Sequence, residues 1–279
     1  MKDKSREKKS KKRKFLDFLV DPFNLYFKNL HIALPILAFF IISIIFSIIF
    51  ILVFFSQLFS FFSALGYREE YTTELISFIA YQNPQLFLDF FIKLFIALVI
   101  FSILLYLIYL FFYTSTLTFA ADIVKGKDKK EILKKCFVYG LQFWKILIFF
   151  VVIIILSAIY FLIPLALIFK TPILGLALFL IFLIAYPFLL TFIFPTQYAL
   201  IYNKINIIDA LKITIQNTIK NYWQTFGLFV IPIVAQGIVS FIFNLIPGLN
   251  LIVSILLLLF FPAYHALVFM LFIKEKWKI

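Results

Sequence analysis

Polar and apolar positions alternate along this chain in blocks. Six long apolar runs, at about 32–62, 88–120, 144–169, 173–200, 223–246 and 249–273, are separated by short polar segments. Each exceeds the ~20 residues that carry an α-helix across ~30 Å of hydrocarbon. The pattern predicts an all-α, polytopic membrane helical bundle with six transmembrane helices. The first two runs are longer than a bilayer demands, which implies tilt or projecting ends. Spans three and four are linked by "KTP", Lys170–Pro172, and spans five and six by "PGLN", Pro247–Asn250. Links this short predict antiparallel helical hairpins.

Two spans are preceded by segments of a different period. In "DALKITIQNTIKNYWQTFGLFVIPIVAQG", from Asp209, the residues Ile208, Leu211, Ile215, Ile219 and Tyr222 recur at steps of three and four. They form one helical stripe, and Asp209, Lys212, Gln216, Lys220 and Asn221 fall away from it. Such a helix suits the membrane interface, with its stripe toward acyl chains and its lysines toward anionic headgroups. Upstream, "KKEILKKCFVYGLQFWKILIFFVVIII" sets Leu133, Cys136, Phe137, Gly140 and Trp144 against Lys130, Lys134 and Lys135. Glu131 and Asp209 open the two helices, where a carboxylate suits the macrodipole. Trp144 and Trp223 mark the entries into the membrane, as expected at a headgroup boundary.

A fainter copy, "FLDFLVDPFNLYFKNLHIALP", precedes span one and is interrupted by Pro22. The hairpin exits also echo one another, "FPTQYAL" at Phe194–Leu200 and "FPAYHAL" at Phe261–Leu267. The chain thus reads as a basic, disordered cytoplasmic tail, 1–14, followed by a membrane domain, 15–279. That domain divides into three pseudo-repeats, 15–120, 121–200 and 201–273, each a lead-in helix and a hairpin. The alternative is that apolar low-complexity sequence aligns with itself by chance.

The pattern over Asp209–Val234, echoed at Lys129–Ile155, resembles the signature of six-helix bacterial and archaeal proteins, mostly uncharacterised. These are related to the membrane domain of glycerophosphoryl diester phosphodiesterases. The resemblance implies the six-span plan and carries no catalytic motif. Where that membrane domain is fused to an enzyme, a separate soluble domain performs the chemistry, and no such domain is expected here.

Composition supports lipid as the solvent. Hydrophobic residues make up 65% and the mean hydropathy is +1.10, against roughly 45–50% apolar content in soluble domains. Positive charge then orients the chain. Of 26 Lys and Arg, 23 fall in 1–31, 121–145, 201–222 and 274–279, which share one side if the spans alternate. Only Arg68, Lys93 and Lys170 fall on the other, beside Glu69, Glu70 and Glu74. The positive-inside bias predicts cytoplasmic N- and C-termini in a multi-pass protein of the cell membrane. The net charge of +13 therefore reflects topology. Neither an RNA-binding signature nor zinc spacing accompanies it, so nucleic acid is not an expected partner. With Cys136 as the only cysteine, an intrachain disulfide is impossible. The first apolar run is too long for a cleavable signal peptide and reads as a retained span.

Polar residues inside the spans are the remaining candidates. Asp89 and Lys93, four apart, suggest a local ion pair at the outer start of span two. His265, Gln57, Gln197, Gln236 and Asn244 read most simply as interhelical hydrogen-bond formers, although His265 also suits a pathway lining. His31 reads as an interfacial residue. No HExxH, paired-carboxylate or phosphate-loop motif is present, so neither catalysis nor a cofactor is expected. The leading expectation is a non-catalytic protein that contacts lipids, and through them or directly a membrane-protein partner. The alternative is a small transporter or pore using Gln236, His265 and the Asp89–Lys93 pair.

Overall fold

The computed structural model describes residues 14–64, 81, 84–128, 130, 134–246 and 249–277. The basic tail before Lys14, the Arg68–Glu74 loop, Glu131, Leu133 and the Pro247–Gly248 link lie outside them, as does the side chain of Cys136. Every regular element in the described residues is helical. Besides a 3₁₀ turn at Leu30–Ala33, these are in chain order α1 (Asp17–Lys28), α2 (Leu34–Ala64), α3 (Pro84–Val124), α4 (Cys136–Gly140) and α5 (Phe143–Lys170). There follow α6 (Pro172–Ile193), α7 (Thr196–Asn203), α8 (Ile207–Lys220), α9 (Tyr222–Asn244) and α10 (Leu249–Lys276). Six stretches are long and apolar enough to cross a membrane: Leu30–Ser63, Phe87–Val124, Phe137–Lys170, Pro172–Asn203, Tyr222–Asn244 and Ile252–Lys276. The protein is all-helical, with the six apolar helices that an integral membrane protein of this plan requires.

The chain divides into two compact units, one comprising Ile36–Phe112 and the other the segments before and after it. The smaller unit is an antiparallel helical pair. Its register is set by rings: Phe39 meets Tyr109, Phe50 stacks on Phe101, and Phe61 stacks on Phe90. Its remaining surface is largely exposed Ile, Leu and Phe, which only lipid solvates well.

The larger unit buries the ends of three helices. Thr114–Asp122 of α3, Thr196–Tyr202 of α7 and Ala266–Ile273 of α10 are almost wholly inaccessible. The first of these segments is rich in small and hydroxyl residues, Thr114, Ser115, Thr116, Thr118, Ala120 and Ala121, the usual composition of helix packing in lipid. Tyr113 donates to Oε1 of Gln197 at 3.2 Å, and the Tyr198 ring stacks on Phe269 at 4.6 Å. Such a hydrogen bond contributes about 1 kcal/mol in a membrane interior. The exit motif "FPTQYAL" supplies most of the second buried segment, and "FPAYHAL" leads into the third at Ala266–Leu267. The sequence signal was a core signal, and "YTSTLTFAADI" at 113–123 is the third member that pattern-matching missed.

Three boundaries differ from the sequence expectation. The expected span 173–200 is divided, because Pro195 offers no N–H and the helix breaks at Phe194–Pro195 before resuming as α7. The basic segment before span three is not one continuous helix. Among its described residues the helical path is broken by turns at Lys135 and at Leu141–Gln142, which bracket α4. Conversely, Pro22 does not interrupt its segment: α1 runs through it, with Pro22 buried. One missing N–H is tolerated where neighbouring residues pack the kink.

The hairpin of α5 and α6 is tight. A Cβ on Gly175 would fall on the backbone of Ile168, so only glycine fits the approach. Further along, Ser157 and Tyr186 hydroxyls lie 2.6 Å apart and Tyr160 donates to the Phe182 carbonyl at 3.0 Å.

Candidate functional site

The lead-in helices carry the most distinctive surface chemistry. In α8, Ala210, Thr214 and Thr218 are buried against α6 and α7. Ile208, Ile215 and Ile219 are exposed, and so are Asp209, Lys212, Gln216 and Lys220. At 3.6 residues per turn these sets lie about a third of a turn apart. The helix therefore has three faces: small residues to the protein, isoleucines outward on one side, and charges outward on the other. Its start is fixed by Asn206, whose Oδ1 accepts from the Asp209 N–H at 2.8 Å, an N-cap of the usual kind.

Helix α1 repeats this layout in the same rotational order. Phe18, Pro22 and Tyr26 are buried, Val20, Phe23 and Phe27 are exposed, and Asp17, Asp21, Asn24 and Lys28 form the polar face. Burial raises the Tyr26 hydroxyl above its ordinary pKa. Its buried face docks on α10: Phe18 meets Phe272 edge-on at 5.4 Å, and Tyr264 donates to the Leu19 carbonyl at 2.9 Å.

The third lead-in docks through one side chain. Tyr139 of α4 donates to Oδ2 of the buried Asp122 at the end of α3, and its ring meets Phe119 edge-on. Lys127 pairs with Oδ1 of the same carboxylate at 2.7 Å. The lead-ins α4 and α8 thus rest on the hairpin before them, on α3 and on α6–α7, whereas α1, the first helix, rests on the last, α10.

Lysines link the helix ends. Lys274 donates to the Val124 carbonyl at 2.6 Å, and Lys125 to the Tyr202 carbonyl at 2.5 Å. Cations at C-terminal carbonyls satisfy orphan acceptors and suit the dipole. The Lys125 ammonium also lies over the Tyr202 ring. Burial, with the charges of Lys127 and Lys204, lowers its pKa against the opposing pull of Asp122. Asp122 escaped the sequence reading because span two was expected to end at 120, placing the carboxylate in a loop. Its signal was a lone acid at the end of an apolar run.

Among the sequence candidates, Lys130, Lys134, Lys212 and Lys220 are exposed and Lys135 is half-buried. Trp223 is 74% exposed and Trp144 51%. The intramembrane candidates are dispersed. Gln57 and Gln236 are half-buried; Asp89 and Lys93 are exposed, and no ion pair joins them among the described residues. Gln197 is fully buried and spends only its carbonyl, on Tyr113, while its Nε2 and the Nε2 of buried His265 have no partner among the described residues. No group of three His, Cys, Asp or Glu among the described residues is placed to hold a metal.

A lateral groove of about 410 Å³ lies between α5, α6 and the isoleucine face of α8, lined by Tyr160, Tyr186, Leu190, Ile215 and Ile219. Nearly all of its wall is hydrocarbon, which suits an acyl chain and no polar reactant. No family model, curated protein or solved structure matches the chain.

Proposed function

We propose that this protein is a non-catalytic membrane protein that contacts anionic lipid through its lead-in segments. In this reading it lies in the cell membrane with cytoplasmic termini, related to the six-helix family that Asp209–Val234 resembles, and offers the same surface to membrane-protein partners. The observation that carries the reading is the three-faced build of α8. A small-residue face docks the helix on the protein, an exposed isoleucine face suits acyl chains, and an adjoining lysine face suits phosphates. Each lysine near an anionic surface contributes about 1 kcal/mol. The shared layout of α1 and α8, and the docking of each lead-in on the end of another hairpin, support reading the chain as three pseudo-repeats.

The test is reconstitution in mixed vesicles with spin-labelled lipids. The protein immobilises anionic lipid in preference to neutral lipid, and replacing Lys130, Lys134, Lys135, Lys212 and Lys220 by Gln removes most of that preference. Equal immobilisation of both lipids rejects the proposal.

The transporter reading rests on His265 and Gln197, whose buried Nε2 atoms lack partners among the described residues. It requires solute or ion flux in liposomes that His265→Phe or Gln197→Leu abolishes. Such flux would replace the first reading with the second.

A further inference from the structure

The lateral groove between α5, α6 and α8 carries three hydroxyls, and all three spend their protons inside its wall. Ser157 donates to the Ile153 carbonyl at 2.7 Å, which leaves Tyr186, 2.6 Å away, to donate to Ser157. Tyr160 donates to the Phe182 carbonyl. No charged side chain lines the groove. An occupant therefore meets no free donor and no cation, so a phosphate or carboxylate has nothing to hold it there. Whatever lies in the groove is apolar along the whole length that it buries.

The course of the groove narrows the choice. On α5 its lining runs from Ile153 to Tyr160, and on α6 from Ile193 back to Tyr186. At 1.5 Å per residue this is about 10 Å along each helix. Helix α8 packs on both α6 and α7, so it stands where one passes into the other. There its Ile215 and Ile219 form the third wall. With α8 at the headgroup level, the groove begins beneath that level and follows two spans into the hydrocarbon. An acyl chain enters a membrane at that level and in that direction. Three walls also give a chain more dispersion contacts than the single helix face met by a lipid elsewhere on the spans.

We propose that this groove is a discrete site for one membrane phospholipid, held by its acyl chain and chosen without regard to its headgroup. The proposal rests on the interfacial placement of α8 and adds to it a site selected by chain, distinct from contacts selected by charge.

The test is native mass spectrometry of the full chain in mild detergent, with dioleoyl phosphatidylcholine or dioleoyl phosphatidylglycerol added. One lipid per chain is retained, and the two headgroups are retained equally to within about twofold. Ile215→Trp and Leu156→Trp each place a ring in the groove from a different wall and lower retention of both lipids several-fold. Ile208→Trp, an equal change on α8 outside the groove, leaves retention unchanged. Helix content by circular dichroism confirms that each variant is folded. Retention that survives both groove substitutions overturns the site. Retention of phosphatidylglycerol alone, lost in Lys212→Gln with Lys220→Gln, also overturns it, yet leaves the interfacial reading standing. Equal retention that both groove substitutions abolish, in a protein that shows no anionic preference with spin-labelled lipids, upholds the site and rejects charge selection. A two-chain mass that Ile215→Trp dissociates would place a second copy in the groove and overturn the lipid assignment.

Discussion

Tyr139 donates its phenolic proton to Asp122 at 2.5 Å, and the Lys127 ammonium lies 2.7 Å from the other oxygen of that carboxylate. This is how the short α4 holds the end of α3. The side chain of Asp122 is 3% exposed, so each partner it loses leaves a buried acceptor poorly solvated. Tyr139→Phe should cost about 1–3 kcal/mol in thermal unfolding in detergent. Lys127→Ala should cost less, about 1 kcal/mol, because water still reaches Lys127. Asp122→Asn should fall between them, and the Tyr139→Phe effect should shrink in its background.

Gly175 offers a sharper case. Alanine there drives a methyl group into the Ile168 backbone, and backbone cannot yield as a side chain can. Gly175→Ala should destabilise the α5–α6 hairpin by several kcal/mol, roughly the upper range for single substitutions. Gly237, whose Cβ would meet nothing within 4 Å, is the control, and Gly237→Ala should be neutral or slightly stabilising.

The small-residue face of α8 separates size from polarity. Thr214 and Thr218 are buried with hydroxyls that lack partners among the described residues. Valine keeps the shape and removes an unsatisfied group, so Thr214→Val and Thr218→Val should change stability by under about 1 kcal/mol. Leucine at either position should lift α8 from α6 and α7 and increase proteolysis around Lys204–Lys212.

Much of this architecture was legible in the sequence because lipid imposes a coarse rule: spans of some twenty apolar residues joined by polar links. Five of the six expected runs coincide with single helices, and the hairpin through Lys170–Pro172 is where its short link required. What escaped depends on contacts between distant segments. The break at Pro195 arises from one missing N–H, yet Pro22, Pro164, Pro187, Pro232 and Pro262 all lie inside helices. A proline alone does not say which outcome its neighbours allow. The stripe Ile208, Leu211, Ile215, Ile219 and Tyr222 was read as turned toward acyl chains; Ile208, Ile215 and Ile219 are exposed, whereas Leu211 and Tyr222 are half-buried, a division that periodicity does not show. The face that docks is Ala210–Thr214–Thr218, modest in hydrophobicity and chosen for size.

Orientation has its own test. With both termini cytoplasmic, a membrane-impermeant thiol reagent should leave Cys136 unlabelled in intact cells and label it once the membrane is opened. A cysteine replacing Glu70, in a Cys136→Ser background, should label at once. The opposite pattern would reverse the assignment.

The central claim is that α8 lies at the membrane surface with its three faces in three environments. Spin labels placed singly at Ile208, Ile215 and Ile219, then at Lys212, Gln216 and Lys220, then at Thr214, measure this directly through collision with oxygen and with a water-soluble nickel complex. The account predicts oxygen-dominated relaxation at the isoleucine positions, nickel-dominated relaxation at the lysine face, and access to neither at Thr214. Nickel access at Ile208, Ile215 and Ile219 equal to that at Lys212 and Lys220 would show α8 standing in water, and would contradict the account.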